Sequence, residues 1–189
     1  MSADPQSDPA SGAALSREQI LRALECLSNQ LGRQGVTGEV CLFGGTVMVL
    51  AFTDRRTTKV VDAIFQPAQL IRQLARRIAD DLHLPPDWLK EVVAGFGSAR
   101  HETTTENLPQ FPHLRLMMPV PEYLLAMKCV SARIGGTATE TSDIVFLVQH
   151  LNLKSAKEVW DLVGQYFPAT RIPVKTQHFV KGLFEAVKT

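Results

Sequence analysis

This sequence of 189 residues predicts an α+β fold, a small mixed sheet flanked by helices with a C-terminal helical bundle packed on it. Three observations carry that expectation. Residues 39–43 and 59–65 are short runs with strand spacing, and the first stops at Gly44-Gly45. Residues 20–31 and 70–78, on either side of them, repeat apolar positions at helical spacing. From Tyr123 onward the apolar segments are helical in spacing and bounded by caps, glycines or prolines.

In chain order, residues 1–15 are polar and rich in Ser, Asp and Pro, the composition of a disordered tail. They lack the basic start and apolar core of a signal peptide, and no stretch is long enough to span a bilayer. A cytoplasmic protein with no membrane partner is the expectation. Ser16 and Gln19 fit a capping box opening a helix whose inward residues are Ile20, Leu21, Leu24, Leu27 and Leu31, and Gly32 and Gly35 end it. After the first strand and its glycines, the apolar residues 46–52 suffice for two helical turns. The second strand sets Val60, Asp62 and Ile64 on one face and Val61 and Ala63 on the other.

Gln66-Pro67 then opens a helix to about Leu82, with Leu70, Ile71, Leu74 and Ile78 inward and Arg72, Arg76 and Arg77 on a solvated face. Pro86 marks a new helical start over residues 88–96, ending at Gly97. Residues 98–113 read as a surface loop with His101 and His113 as surface histidines, and 114–118 as a strand. Pro121 suits the first position of a helix to Ile134 that is apolar almost all round. Ser142 or Asp143 would cap a second buried helix over 144–151. Ser155 caps a third through Tyr166, and an amphipathic helix over 174–188 closes the chain. The resulting division is a tail (1–15), an α/β part (16–118) and a helical part (119–189).

Composition narrows the functions. At 45% hydrophobic and 21% charged residues the chain is ordinary for a globular protein. A net charge of +1 gives no bulk attraction to nucleic acid or anionic membrane, so any RNA contact rests on a local patch. Cys26, Cys41 and Cys129 are odd in number, and each sits in an apolar segment, so they read as buried reduced thiols.

Four places demand chemistry. Asp62 is a charge inside an apolar strand, so it faces water, a partner or a metal. Gly44-Gly45 lets the backbone approach another group closely, and the helix N-terminus behind it has unpaired N–H groups that suit a phosphate; an ordinary tight turn is the plainer reading. Lys128 lies among Leu124, Leu125, Cys129 and Ala132, so its ammonium needs a carboxylate, a phosphate or a route to the surface. Asp143 is either a site carboxylate or a plain helix cap, and both roles can coexist.

Taken together, these residues resemble a known family. Gly44-Gly45-Thr46, the short helix, Arg55-Arg56-Thr57-Thr58 and the strand bearing Asp62 resemble the first block of the nucleotidyltransferase superfamily, in its bacterial branch of type IV toxin–antitoxin toxins (AbiEii/MenT-like relatives). Pro121-Glu122-Tyr123-Leu124-Leu125-Ala126-Met127-Lys128, then Arg133, then Glu140 and Asp143-Ile144, resemble the second block, and Trp88-Leu89 falls between. The resemblance covers residues 42–184. It implies a nucleotidyltransferase-like fold, an NTP with Mg²⁺, transfer of a nucleotidyl group to RNA (tRNA) or a protein hydroxyl, and a cognate antitoxin. In that scheme Gly44, Gly45 and Thr46 seat the triphosphate, Asp62 binds the metal and Lys128 neutralises phosphate. Asp143 or Glu140 completes the charged site.

Two positions depart from the pattern. Val60 stands at the first Asp of Asp-x-Asp, and Lys90 at the Asn that follows Trp-Leu. A branched hydrocarbon cannot ligate Mg²⁺, so a two-ion site is incomplete and a single ion would rest on Asp62, substrate phosphates and water. Both departures favour a competing expectation, a catalytically weakened relative that serves as a nucleotide- or partner-binding module. A third expectation is a purely structural interaction protein.

Overall fold

The computed structural model describes residues 14–92, 101–132 and 138–185. In chain order the described elements are β1 (Leu15–Ser16), α1 (Arg17–Arg33), β2 (Gly38–Leu42), α2 (Gly44–Leu50), β3 (Thr57–Thr58), β4 (Val61–Gln66), α3 (Ala68–Leu82) and β5 (Leu89–Glu91). They continue with β6 (Thr103–Thr104), β7 (Leu114–Pro119), α4 (Pro121–Ser131), α5 (Ala138–His150), α6 (Ala156–Val163) and α7 (Val174–Glu185). The class is α+β, with a mixed five-stranded sheet in the order β5-β4-β2-β7-β6 and a two-stranded β1-β3 ladder.

The pleat of the large sheet decides which residues are core and which are available for chemistry. Val40 lies opposite Phe65 on β4 and Leu116 on β7, and Leu42 lies opposite Ala63. All of these are buried. Their face meets α1 and α3, because a Cβ on Gly38 would come within 2.8 Å of Leu31 and 3.2 Å of Ile71. Cys41, Asp62, Ile64 and Met117 alternate with the core residues and are only half-buried. The sheet therefore has one sealed face and one that is partly open.

The helices on the sealed face form as their patterns predict. In α1 the Ser16 backbone N–H donates to Gln19 Oε1 at 2.9 Å and the Gln19 N–H to Ser16 Oγ at 3.2 Å, a complete capping box. Ile71, Leu74 and Ile78 of α3 are buried, each large apolar side chain contributing about 1.5–3 kcal/mol. Trp88 is fully buried, and its indole N–H donates to the Ala75 carbonyl at 2.9 Å, which fastens the approach to β5 onto α3.

Three expectations need correction. Leu15, assigned to the tail, is buried and pairs with Thr58 on β3; residues 1–13 lie outside the described residues. Residues 89–91, expected to be helical, form a strand parallel to β4. The Val61 N–H donates to the Trp88 carbonyl at 2.7 Å and the Val92 N–H to Ala63 at 3.0 Å, so an open sheet edge overrides the local helical pattern. The remainder of that expected helix, from 93, lies outside the described residues. Helix α5 begins at Ala138 instead of residue 144. The Thr141 and Ser142 hydroxyls donate to the carbonyls three residues back, so polar residues that read as a loop sit comfortably in a helix. Asp143 is consequently inside α5 and is not its cap.

Candidate functional site

Asp62 projects from the open face of β4 into a cavity of about 560 Å³. Cys41 and Ile64 of the sheet share its floor, Phe43 and Gly44 form one wall, and Tyr123, Met127 and Val130 of α4 form another. Gly44 has φ +60°, a left-handed conformation that favours glycine, and a Cβ there would lie 3.4 Å from Asp62 Oδ2. The turn after β2 is thus shaped against the carboxylate. Burial raises the Asp62 pKa above the usual carboxylate range, while the charges of Lys90 and Lys128 pull it back. A second depression of about 360 Å³, between Asp54 and α5, has no cation in its walls and lies away from Asp62.

The charged centre beside this cavity is built around Asp143. Its side chain is fully buried, and its Oδ2 accepts from Arg55 Nη2 at 2.5 Å and from the Lys128 ammonium. The two cations keep 17% and 15% of their side-chain exposure, so neither is sealed away. The same Arg55 nitrogen donates to the Thr139 carbonyl at 3.0 Å. Two cations on one carboxylate leave a local excess of positive charge, which suits an anion. Neither Arg55 nor Lys128 lines the cavity itself, but the charge of Lys128 reaches Asp62.

Gly45 explains how Arg55 reaches Asp143. A Cβ at Gly45 would stand 2.8 Å from Arg55 Nη1 and 2.8 Å from Thr58 Oγ1, so only glycine leaves room for the guanidinium to pass α2. Thr46 is fully buried, and its hydroxyl donates to the Val60 carbonyl at 3.2 Å, as does that of Thr58. Of the three residues expected to seat a triphosphate, Gly44 alone lines the cavity. Gly45 and Thr46 shape the turn that holds Arg55.

The structure therefore brings Asp62, Lys128, Asp143 and Gly44 into one region. Glu140 stands one turn before Asp143 on α5, and Arg133 lies outside the described residues. Arg55 is the residue sequence reasoning missed. Its only signal was membership of the Arg-Arg-Thr-Thr run, where nothing separates it from the exposed Arg56. Lys90 is directly opposite Asp62 across the parallel β4–β5 pair. The thiols are unpaired, and burial pushes Cys129 up to about 12 and Cys41 up to about 11.

Neither a family model, nor a curated protein, nor a solved structure matches this chain.

The donor set decides how a divalent cation could be held. Among the described residues no three His, Cys, Asp or Glu side chains converge on a metal position. Val60 offers no ligand, and Asp143 already bears two cations. The residues suit one ion carried in by phosphates and touching Asp62; they do not suit a two-ion pair. No helix among the described residues is long and apolar enough to cross a membrane.

Proposed function

We propose that this chain is a nucleotidyltransferase-like protein of the toxin type that binds an NTP in the Asp62 cavity and transfers a nucleotidyl group to RNA, tRNA included, or to a protein hydroxyl. The observation that carries the reading is the proximity of Asp62, on the sheet, to Lys128 of the centre that Arg55, from the segment after α2, forms with Lys128 of α4 and Asp143 of α5. Lys128 and Arg55 are held in place by Asp143, so they present positive charge to a phosphate without first being ordered. Gly44 leaves the approach to Asp62 open. The apolar walls, Phe43, Ile64 and Met127 among them, suit the nucleoside portion. A Mg²⁺ arriving with the triphosphate would be held by Asp62 and would supply charge neutralisation at the phosphates. A cognate antitoxin belongs to the same reading.

A second reading is favoured by Val60. The chain would then be a catalytically weakened relative that binds a nucleotide or a partner without transferring anything. Calorimetric titration with Mg-ATP, Mg-GTP and Mg-CTP tests the shared premise, and binding of at least one is the expected outcome. Transfer of labelled NTP to total tRNA by wild type and Val60→Asp then separates the readings. Labelling by wild type supports the enzyme, and labelling by Val60→Asp alone supports the weakened relative. Silence with every nucleotide in the titrations rejects the enzyme and the nucleotide-binding module.

A further inference from the structure

We propose that Lys90 takes the place of a divalent cation at this site, so that the cavity binds a polyphosphate anion without metal. The inference rests on the NTP reading above and departs from it in one respect, that the polyphosphate needs no Mg²⁺ at Asp62.

Placement comes first. Asp62 and Lys90 are register partners on adjacent parallel strands, so their side chains leave the same face of the sheet. That is the face that carries the cavity. Glu91, the next residue, is directed to the other face and is paired with Arg72 at 2.8 Å. The acidic neighbour of Lys90 is thereby engaged elsewhere. Lys90 itself is exposed, and no hydrogen bond or ion pair occupies its ammonium among the described residues. The Asp62 carboxylate likewise carries none, although it is half-buried. Two opposite charges stand beside each other on the face of the sheet where Asp62 and Val92 line the cavity, each with its hydrogen-bonding capacity unfilled among the described residues.

The charge balance of the site points the same way. Arg55, Lys90 and Lys128 oppose Asp62 and Asp143, leaving one net positive charge. A carboxylate at position 60 and a neutral side chain at position 90 would make the same constellation negative by one. Such a site would have a net charge that opposes a phosphate chain and would gain from a metal ion. The difference between the two arrangements is two charges, which is what one divalent cation supplies. Lysine suits this role because its ammonium is a compact charge on a flexible stem, able to reach a phosphate oxygen without fixed coordination geometry. The charges of both Lys90 and Lys128 act on Asp62.

The test titrates the full chain with ATP in EDTA and again in excess Mg²⁺, for wild type and Lys90→Asn. Wild type is expected to bind in EDTA with an affinity within about threefold of that in Mg²⁺. Lys90→Asn should lose about 10–100-fold in EDTA, the effect of removing one charge-assisted hydrogen bond, with Mg²⁺ restoring most of it. Tripolyphosphate should compete with ATP in EDTA, and its failure to compete would place recognition on the base and overturn the proposal. Binding of ATP only when Mg²⁺ is present overturns the proposal and leaves the NTP reading intact, as does an equal loss in both conditions for Lys90→Asn. Absence of ATP binding in both conditions overturns this inference, and the NTP reading falls with it only where the Mg-GTP and Mg-CTP titrations are silent too. Lys90 is exposed and unpaired, so an unchanged melting temperature serves as the check that the variant is folded.

Discussion

Replacing Asp143 with asparagine removes the charge on which Arg55 and Lys128 both depend. The carboxylate is fully buried, and the two cations are mostly so. Breaking a buried ion pair by removing one partner costs about 3–5 kcal/mol, because the surviving charge is stranded. Here two charges are stranded, but each keeps some exposure and can lean toward water, which holds the expected loss near that range instead of doubling it. A domain of this size has roughly 5–15 kcal/mol of stability in total, so the loss is a large fraction. For 150–250 residues it corresponds to a melting temperature lower by about 6–20 °C. Urea unfolding followed by tryptophan fluorescence gives the measurement, since Trp88 is fully buried, and the midpoint should fall with little change in slope. A double-mutant cycle with Lys128→Met isolates the pair, and the double variant should lose less than the summed singles by about 0.5–3 kcal/mol. A loss below about 1 kcal/mol for Asp143→Asn, or strict additivity in the cycle, would refute the view that Asp143 is the buried counter-ion of this site.

Two further outcomes follow from the same geometry. Gly45→Ala places a methyl group 2.8 Å from both Arg55 Nη1 and Thr58 Oγ1; thermal unfolding should show a loss of about 1–3 kcal/mol from overpacking, and nucleotide affinity should weaken because Arg55 is displaced. Asp62 has a folded-state pKa raised mainly by burial, so the folded chain holds its proton more tightly than the unfolded chain does. Its contribution favours folding at low pH and is lost as pH rises through the folded-state pKa. Asp62→Asn should therefore be more stable than wild type at pH 7, with the advantage vanishing below the ordinary carboxylate range; an advantage that persists or grows on acidification would contradict this.

How much of this was legible in the sequence depends on how local the cause is. The starts of α1, α3 and α6 could be read because their signals lie within a few residues: the Ser16 capping box, Pro67 ahead of Ala68, and Ser155 accepting from the Glu158 N–H at 3.2 Å; α6 ends at Val163, short of the expected Tyr166. The alternation around Asp62 was legible because a strand with one sealed face leaves a period of two. Residues 89–91 were not, because they are a strand only by virtue of β4 beside them. The start of α5 was missed for a related reason. Thr141 and Ser142 satisfy their hydroxyls against the helix itself, an option that composition cannot distinguish from a loop. Arg55 shows the limit most clearly. Its partner is 88 positions away (143 − 55), and no property of the Arg-Arg-Thr-Thr run singles out the first arginine.

Charge is where the sheet and the C-terminal helices depend on each other. Arg55 follows α2, Lys128 lies on α4 and Asp143 on α5, so the site needs three separate segments in place before any of these groups is satisfied. Asp143 on α5 is the one buried carboxylate among the described residues, and it holds both cations. Their positive charge is thus positioned by the fold itself, with no need for a ligand to gather it. On the proposed reading, a site organised in this way discriminates by charge before it discriminates by shape, so a phosphate-bearing ligand is expected to bind better than a neutral molecule of equal size.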